Sequence, residues 1–155
     1  MGYKYGVWLT YPKNMLKCEH IGHVTVACYM SKQDAIDLYL HIERILGRNI
    51  EINIDCKNPV CFNKNMYDDD DNNMCSWGYN GYCLMWVLLK GIAENYRCNF
   101  SHQVHTTMEY GYNNKDFTLL NSNNRKVKCE LNVADIRDDD PLKWKLVDIT
   151  QLTQL

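Results

Sequence analysis

The sequence predicts an α+β fold built mainly from antiparallel strands, and three observations carry that expectation. The first fifty-five residues alternate strand-like and helix-like patterns in the order strand, strand, helix, strand. Within them, Ala35, Leu38, Tyr39, Ile42, Ile45 and Leu46 repeat at the i, i+3, i+4, i+7 spacing of an amphipathic helix. The pattern His-x-x-His-x-Thr also occurs twice, at residues 20–25 and 102–107, and each copy runs into residues of strand character.

Taken in order, Tyr3–Tyr11 is aromatic and β-branched and reads as a strand ended by Pro12. Residues 12–22 form a loop, and His23–Met30 is the second strand. Ser31 then supplies a helix N-cap with Asp34 at the third helical position, a variant of the capping box. Gly47 closes the helix. Asn49–Asp55 places Ile50, Ile52 and Ile54 on one side of a half-buried strand. Residues 56–82, rich in Asn, Asp, Cys and Gly, are expected to be loops with a short strand near Val60–Phe62. Cys83–Arg97 fits a buried strand or a helix, and its length favours a helix over Leu84–Tyr96. His102–Tyr110 is the strand carrying the second motif. Asn113, Asn114 and Asn121–Asn124 mark turns. Lys126–Ile136 and Lys143–Thr150 form a hairpin across the Asp138-Asp139-Asp140-Pro141 turn.

Length and composition narrow the functional classes. Residues 1–155 read as one domain, long enough for a real core. Hydrophobic content of 46% and charged content of 23% are ordinary for a globular chain. No apolar run is long enough to span a bilayer, and Met1–Tyr5 carries no signal-peptide core. The expectation is a cytoplasmic monomer with no membrane partner. The eight cysteines include no Cys-x-x-Cys, so they read as reduced structural residues. A net charge of −2, with acidic runs at Asp68–Asp71 and Asp138–Asp140, gives no basic stripe for duplex DNA or long RNA. A small nucleotide or short oligonucleotide fits better as ligand.

The paired motifs are the feature that carries chemistry. On a strand, positions two apart share a face, so His23 and Thr25 present an imidazole and a hydroxyl side by side. His105 and Thr107 do the same. Two such pairs facing each other supply two proton-transfer groups and two hydrogen-bond donors, the set that splits a phosphodiester without a metal. A metal reading of the two His-x-x-His runs is weaker: on a strand, residues three apart point to opposite faces, and no Asp or Glu lies at a matching offset. No metal and no cofactor are expected.

His23-Val24-Thr25-Val26 and His105-Thr106-Thr107-Met108 resemble the two signature motifs of the 2H phosphoesterase superfamily. Tyr110, five residues after His105, resembles an aromatic often found beyond the second motif. The resemblance covers the run from about residue 4 to 55 and the strand around His105. It implies a two-lobed, pseudo-symmetric fold in which antiparallel sheets form a central cleft flanked by helices. It also implies His23, Thr25, His105 and Thr107 as catalytic residues. The implied substrates are 2′,5′-linked oligoadenylates, cyclic di- or oligonucleotide signals, or 2′,3′-cyclic phosphate ends of RNA. The many asparagines suit an AT-rich coding genome. Removing a host's nucleotide alarm signal would be a sensible role in a virus.

A nucleobase is usually held by stacking on aromatic rings. Tyr5, Trp77, Tyr79, Tyr82 and Tyr110 are the expected substrate-binding residues, with Trp8 and Tyr112 as further aromatic candidates. The glycines of Trp77–Tyr82 suggest a mobile lid. The competing class is a binding module that holds a nucleotide or RNA end in the same cleft without turnover.

Overall fold

A computed structural model describes the backbone of residues 4–12, 20–62, 74–112 and 125–149. Side chains are described over the same spans except at 56–59, 61–62, 74–77, 108–112 and 125. The strands are β1 (Tyr5–Thr10), β2 (His23–Met30), β3 (Asn49–Phe62), β4 (Met74–Tyr82), β5 (Asn99–Phe100), β6 (His105–Tyr112), β7 (Arg125–Asp135) and β8 (Lys145–Leu146). Two α-helices join them, α1 (Lys32–Leu46) and α2 (Trp86–Ala93), and the order is mixed α+β as expected. Among the described residues, no helix is long and apolar enough to cross a membrane.

Helix α1 forms where its caps and apolar stripe dictate. The Ser31 hydroxyl accepts from the Asp34 amide at 3.1 Å. At the other end the Gly47 amide donates to the Glu43 carbonyl, with Gly47 at φ 81°, a conformation that favours glycine. Ala35, Ile36, Leu38, Tyr39 and Ile42 are buried against the sheet. The Ile50, Ile52 and Ile54 side of β3 joins the same apolar cluster, together with Val7 and Leu9 of β1 and Leu131 and Val133 of β7. That cluster defines the core face of the sheet.

All strand pairs are antiparallel, and the path runs β1-β2-β6-β4-β3-β7 before returning, because β7 also pairs with β1. β7 holds β1 along one edge (Tyr5↔Asp135 to Thr10↔Glu130). Its other edge takes β3 and then β8: the Leu131 amide donates to the Arg48 carbonyl and the Val147 amide to the Val133 carbonyl. Six strands therefore close into a ring. Its thinnest seam is β2 against β6, a single cross-strand pair, Val24↔Thr106.

Several expectations change. Residues 74–82 are not loop but β4, an interior strand between β3 and β6. Their glycines serve close packing rather than mobility. A methyl group at Gly78 would overlap the Thr106 carbonyl, and one at Gly81 would lie 2.7 Å from the Asn53 carbonyl. β3 continues to Phe62 past a register break between Ile54 and Pro59, and Pro59 has no amide hydrogen to give a ladder. Helix α2 is shorter than the expected Leu84–Tyr96 span and has no side-chain N-cap. The C-terminal hairpin forms, but β8 is two residues long. The acidic run at 68–71 and the turns expected at 113–114 and 121–124 lie outside the described residues. Of the eight cysteines, Cys28, Cys83, Cys98 and Cys129 are described, and all four are free thiols.

Candidate active site

β2 opens with the first motif and β6 with the second, and the seam brings them together. Val24 faces Thr106 across it. One step either way along an antiparallel pair sets His23 beside Thr107 and Thr25 beside His105. Val24 and Thr106, each 1% exposed, point into the core, so the four motif side chains share the opposite face. The ladders on either side extend that face. Thr10 and Trp8 of β1 pair with His23 and Thr25, while Gly78 and Asn80 of β4 pair with Thr107 and His105. The Thr106 hydroxyl donates to the His23 carbonyl at 2.8 Å and so reinforces the seam from its core side.

Both imidazoles are held in the same way. His23 Nδ1 lies 2.7 Å from the Ile21 carbonyl and His105 Nδ1 lies 3.0 Å from the Gln103 carbonyl, in each case two residues upstream. A carbonyl oxygen only accepts, so Nδ1 carries the hydrogen in both rings. In the neutral rings the basic lone pair then sits on Nε2. The two motifs thus present the same tautomer from adjacent strands.

Their environments differ. His23 is 6% exposed and stacks on Trp8, with centroids 3.5 Å apart and planes 7° from parallel. Trp144 approaches His23 at 6.1 Å and Trp8 at 5.8 Å, and His20 meets the His23 ring edge-on at 5.9 Å. Burial pushes the His23 pKa from 6.5 down to about 3; the neighbouring His20 and His105 push the same way, and the Ile21 carbonyl contact opposes them. His23 is accordingly neutral at physiological pH. His105 is only half-buried and so remains open to water.

The covering ring, Trp144, belongs to the hairpin that returns from β7. Arg137 clamps the base of that hairpin through Nε and one Nη to the Asp135 carboxylate, at 2.9 and 2.7 Å. Those bonds hold the Asp135 carboxyl below its usual range. A 3-10 turn, Pro141–Lys143, is capped by the Asp140 carboxylate accepting from the Leu142 amide. The Trp144 indole donates to the Asp138 carbonyl at 2.7 Å, which fixes its ring over the site face.

The aromatic expectations divide. Tyr82 is 60% exposed and shares its face with Asn80 and His105. Tyr79 is 1% exposed, because strand alternation turns it into the core in the row of Leu9, Val24 and Thr106; it cannot stack a ligand. Tyr5 is likewise in the core cluster, on the Leu9 side of β1, with the Arg137 guanidinium 5.5 Å from its ring centre. The Trp77–Tyr82 segment is an interior strand rather than a lid. The side chains of Trp77, Tyr110 and Tyr112 lie outside the described residues.

Trp144, which covers His23, escaped the sequence reading. The hairpin register, Ala134↔Leu146, brings residue 144 back toward β1, so the predicted hairpin already contained that signal. Among the described residues, no group of three or more His, Cys, Asp or Glu side chains is arranged to hold a metal ion. No family model matches the chain, and no curated protein matches it.

Proposed function

We propose that this chain is a metal-independent phosphodiesterase of the 2H type, acting on small RNA-type nucleotides such as 2′,5′-oligoadenylates or cyclic di- and oligonucleotide signals. The observation that carries this reading is the pairing of two His-x-Thr motifs across one antiparallel seam, each imidazole donating from Nδ1 to the carbonyl two residues upstream. The implied architecture is the two-lobed cleft of that superfamily, with the seam at its centre.

The roles follow from the two environments. His23 Nε2, neutral because its ring is desolvated, takes the proton from the attacking hydroxyl or water. The new P–O bond forms as the bond to the leaving oxygen breaks. Protonated His105 gives its Nε2 hydrogen to that oxygen and keeps its Nδ1 bond to Gln103 in both charge states. Thr25 and Thr107 donate to the non-bridging oxygens as charge shifts onto them. With a 2′-hydroxyl beside a 3′-phosphodiester, the first product is a 2′,3′-cyclic phosphate. In a 2′,5′ linkage the 3′-hydroxyl attacks, and on a substrate that is already cyclic, water does.

A product assay in EDTA tests the proposal. Wild type, His23→Ala and His105→Ala are offered 2′,5′-oligoadenylate, 2′,3′- and 3′,3′-linked cyclic dinucleotides and 2′,3′-cyclic AMP. Wild type should cleave at least one, and each variant should lose about 10²–10⁴ in rate. Equal turnover in wild type and both variants would refute the mechanism. One observation favours the second reading, a non-catalytic nucleotide or RNA-end binding module: His23 is closed under Trp8, His20 and Trp144. Tight binding with no cleavage of any panel member would select it.

A further inference from the structure

Beside His105 lies a cavity of about 430 Å³ that the proposed chemistry does not use. Its lining includes Asn80, Tyr82, Leu84, Val87, His102 and Gln103. Three links tie it to the site. Asn80 is the cross-strand partner of His105. The Gln103 carbonyl, which orients the His105 ring at 3.0 Å, also accepts from the Ser101 hydroxyl at 2.8 Å, so the residue that lines the cavity fixes the imidazole too. The Gly81 amide donates to the Val104 carbonyl at 2.7 Å and locks the end of β4 to the same loop.

The lining mixes two kinds of group. Tyr82, Leu84 and Val87 are 60%, 73% and 83% exposed, a concentration of apolar surface that soluble chains usually cover. Trp86 forms a fixed wall, since its indole donates to the Ser101 carbonyl at 3.1 Å and its ring tilts against Phe100. The lining also carries two exposed carboxamides, Asn80 and Gln103, and the exposed imidazole of His102. An aromatic platform with amides at its rim is the chemistry that holds a nucleobase: the ring takes the π-face, and an amide takes a donor and an acceptor on the base edge. The volume suits one nucleoside.

We infer that this groove is a nucleobase subsite for the nucleoside on the His105 side of the scissile phosphate, with Tyr82 stacking the base and Asn80 and Gln103 reading its edge. Carboxamides pair best with adjacent donor and acceptor atoms such as N6 and N7 of adenine, so an adenine nucleoside is the occupant. The assignment of the scissile side rests on the phosphodiesterase reading; the subsite itself does not.

The test therefore uses a probe that needs no turnover. Adenosine 5′-monophosphate, which has no diester to cleave, is titrated calorimetrically into wild type, Tyr82→Ala and Gln103→Ala, with uridine 5′-monophosphate as comparison. Both positions are exposed, and circular dichroism confirms that each variant folds. The expected result is saturable binding that prefers the adenine nucleotide and weakens roughly tenfold or more in Tyr82→Ala, with a smaller loss in Gln103→Ala. Absence of binding, or affinity unchanged in both variants, overturns the subsite. A protein that binds the nucleotide through Tyr82 yet cleaves nothing keeps the subsite and removes the enzyme. An active enzyme whose affinity ignores Tyr82 does the reverse.

Discussion

Acidification from pH 7 to pH 5 isolates the buried imidazole at the centre of the site. His23 has a folded-state pKa of about 3 against 6.5 in the unfolded chain, because burial between Trp8 and Trp144 disfavours its charged form. The unfolded chain thus binds a proton that the folded chain refuses. Stability from this group is intact above pH 6.5 and falls as the pH drops toward 3, by about 1.4 kcal/mol for each pH step. Integrated from pH 7 to pH 5, the loss is about 2 kcal/mol, and it approaches roughly 5 kcal/mol near pH 3. Asp135, whose carboxyl is held low by Arg137, loses its contribution only below its ordinary value of 3.8, outside this interval. The assay is urea unfolding followed by tryptophan fluorescence, on wild type and His23→Asn, at both pH values. Every other ionisable group is common to both proteins, so its contribution cancels in the difference. Wild type should lose about 2 kcal/mol more than the variant, a midpoint difference of about 1 M urea at an m-value near 2 kcal/mol/M. Equal losses within about 0.5 kcal/mol would show that the His23 ring is solvated and would remove the basis for the role proposed for it as the neutral base.

Two further perturbations follow from the geometry. Gly78→Ala forces a methyl group onto the Thr106 carbonyl, so β4 must draw away from the second motif; thermal unfolding should show a loss of about 1–3 kcal/mol, and an unchanged midpoint would mean that the strands separate freely there. Trp144→Ala opens His23 to water and raises its pKa toward 6.5, so the acid limb of the kcat/KM profile should move to higher pH; the His23 ring signals in an NMR titration should move with it. A limb and a titration both unmoved would exclude Trp144 as the seal.

What was legible in the sequence was whatever depends on short spacing. Ser31, Asp34 and Gly47 mark the ends of α1 through local hydrogen bonds, and each holds its expected position. The β2 boundaries could be read because strand residues follow the first motif directly. The expectation that the two His-x-Thr pairs stand side by side needed only strand alternation and one pairing. β4 was missed because Gly78, Asn80 and Gly81 read as turn formers, whereas the glycines answer the approach of Thr106 and Asn53, contacts distant in sequence. The same limit misplaced Tyr79 and Tyr5. An aromatic side chain on a strand has no intrinsic preference for the site or the core, and parity with Leu9 decided it. The inequality of the two imidazoles was also hidden, since Trp144 reaches His23 only after the C-terminal hairpin folds back.

The seam between β2 and β6 has a mechanical consequence. The motif strands are each sewn firmly to an outer neighbour, β2 to β1 and β6 to β4, and to each other by the Val24 and Thr106 pair and the Thr106 hydroxyl bond to the His23 carbonyl. Compliance in the ring is therefore concentrated at the point where the two motif strands meet. The spacing between His23 and His105 can adjust without either flank losing its ladder. On the phosphodiesterase reading proposed above, a rigid barrel would accept one linkage geometry, whereas a ring with its softest joint between the two imidazoles would leave the choice of linkage to the groups that hold the bases on either side.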